Sequence, residues 1–201
     1  DQLKRLRLPP SRRKAVRVPL SKEQLFALID ELPKATYLEP PMRGVIGMMA
    51  CRGFRCGDVL RLLRTELDDA RETGTLSYEA KGHRRLEFKL IKTYRKYLVQ
   101  LAEAPGDWDR VCEMIAPGGH KTFEKRMRSA AKAVERALSK IGIHAGITKL
   151  HPHRLRRTYA VEFLRAQKGP EGMVKLMKVM QWSSVATATS TPATATSRAC
   201  S

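Results

Sequence analysis

Apolar residues return along this chain in two rhythms, and each rhythm predicts a different element. Over residues 21–32, Leu25, Leu28, Ile29 and Leu32 recur every three or four positions, the spacing that keeps one face of a helix apolar. Ser21-Lys22-Glu23-Gln24 precedes them, and a Ser followed three residues later by Gln satisfies two free backbone donors at a helix start. Beyond Pro40-Pro41, Val45, Ile46, Met48 and Met49 predict a buried helix that Gly53 ends, with Arg55 in the turn that follows. Asp58 then opens a short helix carrying Val59, Leu60, Leu62 and Leu63. Residues 75–80 and 85–90 alternate in character around Lys81-Gly82-His83-Arg84, which predicts a β-hairpin with Lys81 at its turn.

Helical spacing resumes over residues 91–102 through Tyr94, Leu98 and Leu101, and Pro105-Gly106-Asp107 and Pro117-Gly118-Gly119 then bracket a loop region. Residues 121–141 read as a long amphipathic helix, with Phe123, Met127, Ala130, Ala131, Val134 and Leu138 inward, bases outward, and Gly142 as its stop. A helix beginning near Pro152 buries Leu155, Tyr159, Phe163 and Leu164. Past Gly169-Pro170, Met173, Val174, Leu176, Met177 and Met180 mark a last short helix ending at Gln181-Trp182. The sum is a mainly helical α+β domain with a small antiparallel sheet, over residues 20–182. Residues 1–19 form a basic, proline-containing arm or linker, and residues 183–201 an Ala/Thr/Ser-rich tail not packed to its end.

Charge narrows the class of partner. Lys and Arg number 39 against 20 acids, a formal charge of +19 in 201 residues, so a polyanion is expected, nucleic acid first. The expected contacts include Arg12, Arg13 and Lys14 of the arm. No apolar run approaches the roughly 20 residues of a spanning helix, and no signal-peptide pattern opens the sequence. A soluble, intracellular protein is therefore expected, with no membrane partner. Cys51, Cys56, Cys112 and Cys200 lack C-x-x-C spacing and read as reduced packing residues.

Candidate chemistry gathers where one element hands over to the next. His153 and Arg156 stand three apart at a predicted helix start, and so share a face where free N-H groups and the helix dipole favour an oxyanion. Arg55 follows a helix and Lys81 sits on a hairpin turn. Taken singly these have ordinary readings too: Arg55 with Asp58 as a surface pair, Lys81 as a turn residue, Trp182 as a helix-end anchor. His120, His151 and His153 lack the carboxylate or thiol spacing of a metal site, so neither metal nor cofactor is expected.

In order and context, these segments resemble the catalytic domain of the tyrosine recombinases, the phage integrase family. Gly53-Phe54-Arg55-Cys56-Gly57-Asp58 is similar to the first arginine box. Lys81-Gly82-His83-Arg84-Arg85 resembles the hairpin lysine segment, and His153-Arg154-Leu155-Arg156-Arg157-Thr158-Tyr159-Ala160 the H-x-L-R-H/R-T-x-A box. Met180-Gln181-Trp182-Ser183-Ser184-Val185 resembles the last box. The resemblance implies that fold and a metal-free transesterification on duplex DNA. Arg55 and Arg156 would clamp a phosphate, Lys81 protonate the leaving oxygen, His153 relay a proton or donate a hydrogen bond, and Trp182 pack and donate its N-H, with Asp58 orienting Arg55 or its loop. Further DNA contacts are expected from Arg84, Arg154 and Arg157, with self-association on the DNA and a bacterial or phage-type cytoplasmic setting. Arg156 is expected to face a solvent groove and to carry little packing.

One position departs from the family pattern. The family places its nucleophilic tyrosine nine positions after the last-box histidine or tryptophan, which here is Thr191, and no tyrosine follows Tyr159. A phenol of pKa about 10 ionises and leaves far more readily than an aliphatic hydroxyl, so Thr191, Ser183, Ser184 and Ser190 are not substitutes. The chain thus reads as a recombinase or integrase catalytic domain without its nucleophile, or as a DNA-binding relic or regulator that occupies recombination sites without cutting. A type IB topoisomerase, which shares the chemistry, would need the same tyrosine.

Overall fold

The computed structural model describes residues 18–80, 84–119, 122–167 and 171–180. Helix α1, Lys22–Glu31, starts where Ser21 accepts from Gln24 N at 3.2 Å while its own N-H donates to the Gln24 side chain at 3.1 Å. A 3-10 turn, Leu32–Lys34, leads to α2, Pro40–Arg52, which has proline in its first turn and ends on Gly53 in the left-handed region at φ 68. That conformation is costly for any residue with a Cβ. Next come α3, Cys56–Arg61, and α4, Arg64–Thr73. Strands β1, Thr75–Ala80, and β2, Arg84–Lys89, pair antiparallel with Thr75 opposite Lys89 and Ala80 opposite Arg84. Then follow α5, Lys92–Ala102; α6, Val111–Ile115; α7, Phe123–His144; α8, Pro152–Ala166; and α9, Glu171–Met180.

Two apolar clusters hold these elements. The larger draws on α1 to α7, the hairpin and Leu155 of α8, with Leu28, Tyr94, Tyr97, Leu98 and Leu138 fully or almost fully buried. Glycine sets the closeness of α2 and α5, since a Cβ on Gly47 would stand 2.2 Å from Tyr97 Cγ. Phe54, in the turn after α2, packs edge-on or tilted against Tyr78, Phe88 and Tyr94, with ring centroids 5.6 to 6.5 Å apart, and so fixes that turn to the hairpin and α5. The smaller cluster comprises Ala160 of α8 with Leu176 and Met180 of α9, flanked by half-buried Tyr159, Phe163 and Leu164. Among the described residues no helix is long and apolar enough to cross a membrane.

The structure departs from the periodicity reading at several points. Helix α4 escapes it because only Leu67 and Ala70 of its ten residues are buried, too few to mark a period. Its start is secured by the Glu66 carboxylate, which accepts from Leu63 N at 2.8 Å. Leu62 and Leu63 lie outside α3 because they bridge to the supposed loop region: Arg64 N donates to Asp109 O at 2.8 Å and Val111 N to Leu62 O at 3.1 Å. That region contains α6, whose first two residues, Val111 and Cys112, are buried. Helix α7 continues through Gly142, where a Cβ would lie 2.8 Å from Ile147 O. That glycine permits a close approach, and the turn is made by Gly146 at φ 67. Phe123, expected inward, is 39% exposed with the Arg110 guanidinium 5.4 Å from its ring.

Candidate functional site

The site is built on the turn that Gly53 starts. Phe54 anchors that turn in the core, so Arg55, the N-cap residue of α3, emerges with extended backbone and a half-buried side chain. Arg55 Nη1 lies 3.6 Å from Asp58 Oδ2, and Asp58 is only 2% exposed. Asp58 occupies the first turn of α3, where the helix dipole favours a negative charge.

Helix α8 brings the second arginine to the same place. Arg156 is buried, at 9% exposure. Its Nη1 donates to the Gly53 carbonyl at 2.7 Å and its Nη2 to the Met180 carbonyl. Burial, and next the charge of Arg55, push the Arg156 guanidinium down to about 10, against an opposing pull from Asp58 and Tyr78. A like charge this near favours an anion beside Arg156, and Asp58 already supplies one. The expectation that Arg156 faces a solvent groove and carries little packing is thus corrected, because it hydrogen-bonds two backbone carbonyls that belong to different elements.

His153, in the first turn of the same helix, is exposed, with its ring centroid 6.5 Å from that of His151. The two histidines line a cavity of about 450 Å3 together with Cys56, Glu135 and Ser139. The Cys56 thiol is pushed up to about 12 by burial and then by Glu135 and Asp58, so it is not a nucleophile at neutral pH. Among the described residues no three of His, Cys, Asp and Glu are grouped to hold a metal ion.

The remaining candidates divide. Arg154 is turned onto the protein, with Nε donating to Val18 O at 3.0 Å and Nη1 to Thr148 O at 2.5 Å. One turn on, Thr158 Oγ1 accepts from Leu20 N at 2.8 Å, so α8 also holds the segment entering α1. Arg157 is half-buried on α8. Arg84 is described by its backbone alone, at the end of the hairpin ladder. Lys81, Trp182, Thr191, Arg12, Arg13, Lys14 and His120 lie outside the described residues. Sequence reasoning passed over Arg52, whose Nη1 donates to the Tyr159 hydroxyl at 2.7 Å. Its one local signal is its place directly before the glycine that ends α2.

With this geometry in view, the family comparison is decisive. The model of the phage integrase family matches residues 18–191. The chain belongs to the phage integrase family. No curated protein matches the sequence. Among solved structures, the integrase chain is similar to the crystal structure of XerA recombinase, with a TM-score of 0.63 at 22% identity, over 91% of this chain and 61% of that one. That likeness speaks for the fold, the catalytic-domain fold of the tyrosine recombinases. This chain spans 61% of the XerA chain's length. DNA is the partner that the family implies, and recombination and integration are its processes.

Proposed function

We propose that this integrase-family chain binds duplex DNA and holds one backbone phosphate between Arg55 and Arg156, without forming a covalent link to it. The observation that carries the reading is that buried Arg156 donates to the carbonyl of Gly53, on the turn that presents Arg55 two residues on, so that the two guanidiniums act on each other electrostatically. An attacked phosphate gathers charge on its equatorial oxygens, and fixed guanidinium forks stabilise that charge at little reorganisation cost. His153, exposed at the rim of the same helix start, is the hydrogen-bond donor or proton relay, and Lys81 the acid for a leaving oxygen. Asp58 orients Arg55 across 3.6 Å, and Trp182, which lies outside the described residues, is assigned the packing and N-H donor role of the family's last box.

The absence of a covalent link follows from Thr191 at the tyrosine position. Clamp and acid lower the barrier only for an attack that some group begins, and threonine offers neither the acidity nor the leaving ability of a phenol. Tyr159 does not replace the missing group. Its hydroxyl accepts from Arg52, and burial raises its pKa above the ordinary tyrosine value despite the lowering influence of that arginine. The same reading has more than one copy assembling on one duplex, which the mass of the complex checks.

The test is a nicked suicide duplex, which traps any covalent intermediate. On a native gel the expected result is a retarded complex whose affinity falls steeply with salt, by roughly a thousandfold between 50 and 200 mM if about six phosphates are neutralised. On a denaturing gel no protein stays with the DNA. A protease-sensitive shifted band would overturn the non-covalent reading, and a salt-insensitive affinity the DNA-binding one.

A further inference from the structure

Arg52 and Tyr159 have no role in the chemistry above, yet they join β2 to α2 and α8, the two helices that meet at the Gly53 turn of the phosphate site. Arg52 is the last residue of α2. Besides its hydrogen bond to Tyr159, its guanidinium lies 5.1 Å from the ring centroid of Phe88 on β2 and 5.9 Å from that of Tyr159 on α8. A planar cation can face aromatic rings and still donate in its own plane, which an ammonium group cannot reproduce. The Arg52 Nε is buried without a hydrogen-bond partner, a defect that folded proteins seldom retain without a compensating role.

Tyr159 in turn closes over Gly53, where a Cβ would stand 2.6 Å from its Cδ1. Gly53 supplies the carbonyl that accepts from Arg156, and its left-handed backbone directs the chain toward Arg55. The turn therefore has one arginine hydrogen-bonded to it and the other two residues downstream.

We propose that Arg52 and Tyr159 are a positioning pair, which presses the Gly53 turn into the conformation that makes Arg55 and Arg156 converge on one phosphate. The proposal rests on the phosphate-site reading of those two arginines. Neither member of the pair touches the phosphate. Burial, only partly countered by Arg52, keeps the Tyr159 hydroxyl protonated, so it acts as a neutral acceptor that fixes the guanidinium.

The experiment is a titration of the isotope-labelled full chain with inorganic phosphate, following the Nε-H resonances of Arg55 and Arg156, with thermal melting alongside. Tyr159→Phe and Arg52→Lys conserve net charge, so long-range attraction for phosphate is unchanged in both. Each is expected to weaken phosphate binding by about fivefold, the worth of one hydrogen bond, and to displace the Arg156 resonance before phosphate is added. Arg52→Met, which also removes a charge, is expected to weaken it further. If only Arg52→Met weakens binding, Arg52 acts through its charge and the positioning role is overturned. Lower melting with wild-type phosphate affinity would mean packing alone, and would overturn it equally. A wild-type chain whose Arg156 resonance ignores phosphate removes the site itself, and the positioning role with it. Should Tyr159→Phe fail to fold, Arg52→Lys makes the same charge-neutral comparison.

Discussion

The body of α1 to α7 and the pair α8 and α9 are held by different physics, and Arg156 stands where they meet. In the body, Leu28, Tyr94, Tyr97, Leu98 and Leu138 are packed among neighbours from several helices, so burial is extensive and no single polar contact is decisive. Among its described side chains, helix α9 places Leu176 and Met180 in its own cluster as fully buried. With so few apolar anchors, a polar link contributes a larger share of the attachment there than in the body. Arg156 supplies one from Nη2 to the Met180 carbonyl, while its Nη1 holds Gly53 at the end of α2. The guanidinium proposed to clamp the phosphate also fastens the smaller unit to the larger.

Breaking that contrast is most direct by paired truncations. Leu98→Ala is expected to lower the global stability of the chain by about 3 kcal/mol, read from urea unfolding. Leu176→Ala should speed amide exchange in α9 while moving the global midpoint less than half as far. Equal shifts of the global midpoint would show that the two clusters unfold as one and that the division is wrong. The next effect is that of Arg156→Met, which keeps bulk but removes both hydrogen bonds. A loss of about 1–2 kcal/mol is expected, with faster exchange in α9 and unchanged protection in α2 and α5. Unchanged exchange in α9 would mean that the carbonyl of Met180 needs no such partner.

The smallest effect is a response to alkali, and it belongs to the body. Burial raises the thiols of Cys51 to about 11 and of Cys56 to about 12, from an ordinary 9.0. Above pH 9 the unfolded chain releases these protons while the folded chain keeps them. Their contribution is thus fully present below that pH and is lost as pH rises toward the folded values. Urea midpoints should fall between pH 9 and 11, and Cys51→Ala with Cys56→Ala should flatten the decline. Arg156 works in the opposite sense, since burial holds its guanidinium below the ordinary arginine value, at about 10, and its contribution grows as pH rises through that value. A decline unaltered by the cysteine substitutions would assign it to other groups, such as Tyr97, which burial also raises to about 12.

Local rules made much of the fold legible. The capping box at Ser21, the glycine stop at Gly53 and the hairpin around residues 81–84 each depend on residues within a few positions of one another, so backbone preference and side-chain spacing suffice. Where the neighbour is distant, the same rules mislead. Gly142 reads as a stop because glycine often ends helices, but its Cβ position is taken by Ile147 and Leu150 as the chain doubles back. Leu62 and Leu63 continue an apolar helical pattern, yet their backbone pairs with residues 109–111. The polar run of α4 shows only two buried positions, and its helix is secured by Glu66 and by packing that a period cannot register.

The site divides the same way. The sequence by itself determined which groups are available, since Arg55 after a helix-ending glycine and His153 and Arg156 three apart at a helix start are local facts of order and spacing. It also determined that no tyrosine follows Tyr159, the fact on which the proposal of a non-covalent complex rests. Only the tertiary structure decided how the cations are used. Arg154, expected on DNA, is spent on the carbonyls of Val18 and Thr148; Arg156 is buried between α2 and α9; and Arg52 meets Tyr159 from 107 positions away. The physical reason is that a guanidinium of given sequence context has several satisfactory partners, water and phosphate among them. Which one it takes depends on the carbonyls, rings and charges that helix packing brings within about 3 Å.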